Sequence, residues 1–486
     1  MRATRLAVLV LAAFATLAGC STTSQTKHLD AGDALGTAPL ASMPATATAS
    51  ATLSIARWWT AYDDDNLDRL IAEALAHNQD LEAALARVRE ARAVFDQARA
   101  ASLPTLDANW QSSRARQSVA GPTPIPLGFS RHNTNHQATL DASYEVDLWG
   151  KLSSTTSSAR YQLLATEWAR ASVEWSLTAQ VAETYFALAA LDRQIEISEA
   201  VRASRQATLR LRTREREAGT GNEFDLRRAE SELTSTDASI ANLARQRVAL
   251  EASLTLLLGR TPQQIVTGQL VRRPLDERVA LANVLPQGDA ATLLLRRPDI
   301  RSVEAQLAAA NADIDAARAA TLPALRLSGS IGSDARSISD LFSGPAFIWS
   351  IAASATQSIF DGGRLQARVR EGEARGDQEL AAYRKTVAAA VLDLREAYSS
   401  LDIRHQALEA EHGRVAAQAR ARELAQLGYD SGAFSYLDLL DAERNWYQAQ
   451  LDEVDAYRDQ LFGQIAAFKA LGGGYDTAGA PDQVRK

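Results

Sequence analysis

Residues Asp96 to Leu106 read DQARAASLPTL and Asp315 to Leu325 read DAARAATLPAL, an offset of 219 taken at Pro104 and Pro323. Farther along, Gly219, Asp225, Leu226, Ala229 and Glu230 return as Gly432, Asp438, Leu439, Ala442 and Glu443, and Leu258-Gly259 returns as Leu471-Gly472, all at an offset of 213. Constant offsets over such distances mean a tandem repeat. The difference of six residues places an indel within residues 107–218 of the first copy, and the loop between its two strands is the expected site.

Each copy runs through the same order: a helical pattern, a Leu-Pro stop, a period-two stretch, a glycine and a very long helical pattern. Proline ends a helix and can open a strand. From Thr105 to Ser113 polar residues alternate with Leu106, Ala108, Trp110 and Ser112, and from Thr139 to Trp149 with Leu140, Ala142, Tyr144, Val146 and Leu148. Gly121, Pro122, Pro124, Pro126 and Gly128 lie between, so the pair predicts a hairpin at about 105–149 with a long tip. In the second copy Leu325, Leu327, Gly329 and Ile331, then Trp349, Ile351, Ala353 and Ala355, predict a hairpin at about 324–361. Four strands result, with Asp107, Asp141, Glu145, Asp147 and Arg326 on the polar side. Such alternation suits a lipid-facing barrel and equally a half-buried soluble hairpin. Four strands cannot close a barrel, since the smallest bacterial ones have about eight. The chain must oligomerise to shut the sheet, or stay soluble.

About 68 residues without a break separate Gly150 from Gly219, which as a helix extend about 100 Å. After Gly221, the positions Leu226, Ala229, Leu233, Thr236, Ile240, Leu243, Arg247, Leu250, Leu254 and Leu257 step by three and four. After Gly363, Val391, Leu394, Tyr398, Leu401, His405, Leu408, His412 and Val415 do the same. Sustained seven-residue repeats predict left-handed coiled-coil packing.

At the N-terminus Arg2 and Arg5 precede a mostly apolar run from Leu6 to Leu17, too short to span a bilayer, and Leu17-Ala18-Gly19-Cys20 follows. These four residues resemble the lipobox of bacterial lipoproteins, which implies cleavage before Cys20 and lipidation of its thiol by diacylglycerol, with an N-acyl (palmitate-type) chain. Residue 21 is Ser rather than an Asp retention signal, which points to the outer membrane. With one cysteine, no internal disulfide can form. A net charge of −7 argues against nucleic acid as a partner. No phosphate-binding loop and no cluster of catalytic groups is present in the sequence, so no enzyme activity and no cofactor is expected.

The division that follows is residues 1–19, signal peptide; 20–54, lipid-anchored flexible linker; 55–260, first repeat; 261–293, an equatorial irregular segment; 294–472, second repeat; and 473–486, flexible tail.

Trp58-Trp59 leading into Asp65-x-Leu67-x-x-Leu70, Asn78-x-Asp80-Leu81, Arg297-Pro298-Asp299-Ile300, Asp147-Leu148-Trp149-Gly150-Lys151, Phe360-Asp361-Gly362-Gly363-Arg364 and Tyr436-Leu437-Asp438-Leu439-Leu440-Asp441-Ala442, with the lipobox and repeat, resemble the TolC-type outer-membrane factors of the NodT-like efflux lipoprotein branch. The resemblance covers nearly the whole mature chain. It implies an α+β membrane protein, a homotrimer with a twelve-stranded β-barrel, four strands per chain, continued by a periplasmic α-helical coiled-coil tunnel. It further implies the gated, passive exit duct of a tripartite efflux pump, working with a periplasmic adaptor (membrane fusion) protein and an inner-membrane pump. An exit duct for type I protein secretion and a coiled-coil periplasmic scaffold are the alternatives. By the same resemblance Asp438 and Asp441 match constriction aspartates, six in a trimer, and Tyr429 and Asp225 match an inter-hairpin latch. The position where some relatives carry a basic latch residue is Phe434.

Other candidates are weaker. His132 and His136 fall in the expected outer loop without a third metal ligand, which favours a polar loop tip. His405 and His412 are expected to set register on the seam. Trp58 and Trp59 are expected to pack beneath the first helix, and Trp110, Trp149 and Trp349 to form an aromatic girdle on the strands.

Overall fold

The computed structural model describes residues 55–118, 130–267, 270–275 and 296–472. Cys20, the signal, the linker, the tail and the loop residues 121–128 lie outside them. A 3-10 turn (Ile55–Tyr62) precedes α1 (Asp65–His77), α2 (Gln79–Ala100), β1 (Thr105–Arg116), β2 (His132–Val146), α3 (Lys151–Glu217) and α4 (Glu223–Leu257). Then come α5 (Pro262–Thr267), α6 (Pro298–Ala319), β3 (Ala324–Ala335), β4 (Phe347–Thr356), α7 (Arg364–Asp430) and α8 (Tyr436–Ala470). Both long helices have 67 residues and both that follow have 35. The long helices start at Lys151 and Arg364, already 213 apart, so the six-residue indel falls before Lys151, within the hairpins.

The chain forms two compact units. The first contains Phe95–Arg160 and Leu307–Glu379 and holds a four-stranded antiparallel sheet in the order β1-β2-β3-β4. The register sorts the side chains by face. Asp107 lies opposite Asp141, Asp141 opposite Ser330, Glu145 opposite Arg326 and Gln137 opposite Asp334, all on one face. The other face carries the rows Leu106, Ala142, Gly329, Ile351 and Ala108, Leu140, Ile331, Trp349. Its large apolar side chains stand in the open: Trp110 is 56% exposed, Trp349 68% and Ile351 83%. Among the described residues the outer edges of β1 and β4 pair with nothing.

Two expectations for this unit need correction. β2 begins at His132, so His132 and His136 sit on a strand and not in a loop. Four residues apart on one strand face they are about 13 Å apart, too far to share a metal ion. His136 instead meets Ser112 Oγ at 3.0 Å and stacks on Trp110. The strand also stops at Val146, so Trp149 belongs to the turn before α3, where its indole N–H donates to the Pro323 carbonyl at 2.7 Å. It is not a girdle residue on a strand. Where α6 meets α7, Gly372 and Gly376 leave room for Ile314, and Arg318 pairs with Glu373 at 2.9 Å.

The second unit comprises residues 55–94, Tyr161–Gln306 and Leu380–Lys486, as far as these are described. Its core gathers Trp58, Trp59 and Tyr62 with Leu67 and Ile71 of α1, Val181, Tyr185, Phe186 and Leu188 of α3, Leu254 of α4, and Leu461, Ile465 and Phe468 of α8. Trp58 stacks on Phe468 with centroids 5.4 Å apart, so the tryptophan pair packs as expected. Asp64 caps α1 and also accepts the Tyr185 hydroxyl at 2.6 Å, fastening α1 to α3. The motifs that open each copy secure its last helix: Asn78 Nδ2 donates to the Leu257 carbonyl, and Arg297 Nη1 to that of Ala470. Gly259, at φ 68°, packs so tightly that a Cβ would meet the His77 carbonyl at 1.9 Å. No position of the α4 seam is exposed. On α7 the seam holds except at His405 and His412, which are exposed and turn to Gln460 and Glu453 of α8. Of residues 261–293, those at 261–267, which include α5, and 270–275 are described, and Arg272 ties the latter to Asp192 and Glu251.

Candidate functional site

The candidate gate residues lie where α3 turns into α4 and where α7 turns into α8, all in the second unit. Each turn passes through a glycine in the left-handed region, Gly219 at φ 75° and Gly432 at φ 78°. A polar residue then satisfies the free N–H groups of the next helix. Asn222 Oδ1 accepts from the Asp225 amide at 2.7 Å, and its amide donates to Asp225 Oδ2 at 2.9 Å. Ser435 forms a full capping box: its hydroxyl donates to Asp438 Oδ2 at 2.6 Å, its amide to the same oxygen at 2.8 Å, and the Asp438 amide donates back to Ser435 Oγ at 3.3 Å.

These bonds from Ser435, side chain first and backbone second, hold the Asp438 carboxyl below the usual aspartate range. Asp438 therefore stays charged while serving its helix. Asp441, one turn on, is exposed and accepts only a long bond from Asn445 at 3.4 Å. The two carboxylates share an exposed helix face, as their spacing requires.

Tyr429 and Asp225 do not meet. Asp225 is held by its own cap, whereas the Tyr429 hydroxyl accepts from Arg212 Nη2 at 2.5 Å. Arg212, 8% exposed, lies 4.2 Å from the Tyr436 ring centroid and 5.2 Å from that of Tyr429, and pairs with Glu215 at 2.8 Å. Cation–π attraction strengthens as water is excluded, so this guanidinium joins the α3 end to both α7 and α8. Burial, only partly offset by the Arg212 charge, pushes the Tyr436 phenol above its ordinary value. Phe434 lays its ring over Gly428, where a Cβ would come within 2.3 Å of it; the position supplies packing in place of charge.

A second tie lies one layer along. Buried Glu232 of α4 pairs with Arg205 of α3 at 3.2 Å and with Arg444 of α8. Arg205 also donates to Thr236 Oγ1, and Ser198 of α3 meets the Tyr447 hydroxyl of α8 at 2.9 Å. Next to these, a cavity of about 300 Å³ is lined by Arg193, Glu196, Arg422, Glu443 and Trp446 among others, with the Arg422 guanidinium 4.5 Å from the Trp446 centroid. Burial raises the Glu443 carboxyl above the ordinary glutamate range, against the pull of Arg422 and Arg205.

Sequence reading missed Arg212 and Glu232. A signal for the first was present: 213 residues on, the chain has Ala425, so Arg212 departs from the repeat.

The family described as Outer membrane efflux protein matches residues 70–260 and 290–473. The toluene efflux pump outer membrane protein TtgI of Pseudomonas putida is 35% identical over 419 residues, 86% of this chain and 87% of TtgI. The pyoverdine export outer membrane protein OpmQ, also of Pseudomonas putida, is 34% identical over 453 residues, 91% of this chain and 93% of OpmQ. Among solved structures, the outer-membrane channel OprN superposes with a TM-score of 0.80 at 30% identity, covering 89% of this chain and 98% of OprN. The chain belongs to the outer membrane efflux protein family.

Proposed function

We propose that the chain is the outer-membrane exit duct of a tripartite efflux pump. It acts as a homotrimer, built by duplication, that closes a twelve-stranded barrel and continues as a coiled-coil periplasmic tunnel. The observation that carries this reading is the sheet: large apolar side chains stand exposed on one face, every strand carboxylate lies on the other, and both edges lack a partner among the described residues. An isolated sheet with these features is unstable in water, while three copies joined edge to edge make an even-numbered barrel with a lipid-facing belt and a polar lumen. The relatives named for toluene and pyoverdine favour small organic cargo over protein secretion or a scaffold role.

Conduction is passive and gated. Asp438 and Asp441 from three chains form a ring of six carboxylates at the tunnel's narrow end, which favours cations and binds them. Opening moves the α7–α8 tip away from the α3–α4 tip and breaks the contacts of Arg212 with Tyr429 and Tyr436, with Asp225 at the margin of the latch. A periplasmic adaptor and an inner-membrane pump supply the driving force. Lipid on Cys20 is an auxiliary anchor, since a closed barrel stays in its membrane without one.

Replacing Asp438 and Asp441 together by alanine tests the ring. In planar bilayers the double variant conducts more than wild type and loses block by divalent cations; retained block removes the ring assignment.

A further inference from the structure

Among the described residues, the negative charges of the sheet are confined to one face. Every carboxylate on a strand lies on the polar face, and the apolar face carries only Arg114, Arg116, His132 and His136. All four sit at one end, toward the hairpin turn and away from the helices. The apolar rows end at Trp110 with Ala138; beyond them Ser112 pairs with His136, Arg114 with Thr134 and Arg116 with His132. At about 3.3 Å per residue the two arginines stand about 13 and 20 Å past Trp110 along β1. A strand tilt of about 40° reduces this to roughly 10 and 15 Å of height above the apolar belt, just outside a headgroup layer of about 5–8 Å, into which long arginine side chains can reach back.

We infer that Arg114 and Arg116 form an outward-facing anion site for the phosphate groups of the glycolipid in the outer leaflet. The inference rests on the barrel reading above, which makes this face lipid-facing and this end external. Both side chains are exposed, and no carboxylate shares their face among the described residues. Two arginines with Cα atoms about 7 Å apart on one face present planar donor forks that match phosphate oxygens, and Thr134 adds a hydroxyl beside the first. A site facing the lumen would serve cargo; one facing outward above an apolar belt meets lipid. Since β1 is an edge strand, the cluster also borders the seam where another chain's β4 closes the barrel, so the bound lipid bridges two chains and stabilises the trimer.

The test uses full-length trimers in neutral detergent, titrated with bisphosphorylated lipid A or its dephosphorylated form and followed by native mass spectrometry and thermal dissociation. Wild type binds one lipid A per chain, with affinity about tenfold or more above that for the dephosphorylated form, and the trimer dissociates at a higher temperature when loaded. Arg114→Gln with Arg116→Gln removes that preference, Arg114→Lys with Arg116→Lys keeps most of it, and Arg326→Gln on the opposite face leaves it unchanged. Equal binding of the two lipids by wild-type trimers that assemble and conduct, or undiminished preference in the glutamine variant, overturns the inference alone. Wild-type protein that forms no trimer overturns the barrel reading with it.

Discussion

At the α3–α4 tip, Gly219 leads to Asn222, which caps α4 and binds Asp225; at the α7–α8 tip, Gly432 leads to Ser435, which caps α8 and binds Asp438. The backbones match residue for residue at the 213 offset, yet the side chains that carry the contact between the hairpins differ: Arg212 stands against Ala425, Tyr429 against Arg216 and Tyr436 against Glu223. Helix ends explain what is shared, because unpaired N–H groups need an acceptor in either copy. Recognition explains what differs. A cation needs aromatic rings opposite it, and here the first tip supplies the cation and the second the rings.

The comparison breaks most visibly at Arg212. Arg212→Ala, which makes the first tip match Ala425, removes a charge-assisted bond and two ring contacts and weakens the closed state by about 2–3 kcal/mol. Bilayer conductance should rise about tenfold or more. Tyr429→Phe keeps the ring and loses only the hydroxyl, so a smaller rise should follow; no rise in either variant would detach the asymmetry from gating.

The caps should break alike. Asn222→Ala and Ser435→Ala each cost about 1 kcal/mol, measured as faster amide exchange in the first turns of α4 and α8. A loss confined to one tip would show that the shared backbone hides unequal helix ends.

The smallest effect concerns Glu443 against its repeat counterpart Glu230, which is exposed beside Arg227. Burial raises the Glu443 carboxyl, so the folded protein holds that proton more tightly than the unfolded chain. The contribution is complete below the ordinary glutamate range and is lost as pH rises through the raised value. Glu443→Gln should therefore raise thermal stability at pH 7 and flatten its dependence above pH 4, with Glu230→Gln as the control.

Much of this was legible in the sequence. The α4 seam and both strands of the second hairpin follow directly from apolar spacing, because a face that is kept from water imposes a period on the helix and on the strand alike. The first part of β2 was not, since His132, Asn133, Thr134, Asn135, His136 and Gln137 are polar on both faces. Beyond the apolar belt a strand needs no alternation, so none is written there. The pattern misled in the other direction at Leu148, where apolar alternation outlasts the strand and the Leu148 amide donates to the Val146 carbonyl in a turn. In the site, the shared face of Asp438 and Asp441 follows from their spacing. Arg212 and Tyr429 are 217 residues apart in the chain, and no local pattern announces a contact between different copies.

The central claim is that three chains close one barrel, and the mass of the particle extracted from outer membranes tests it most directly. Native mass spectrometry should find three copies of the chain, stable in detergent. A single copy, with its sheet edges unpaired, would contradict the account.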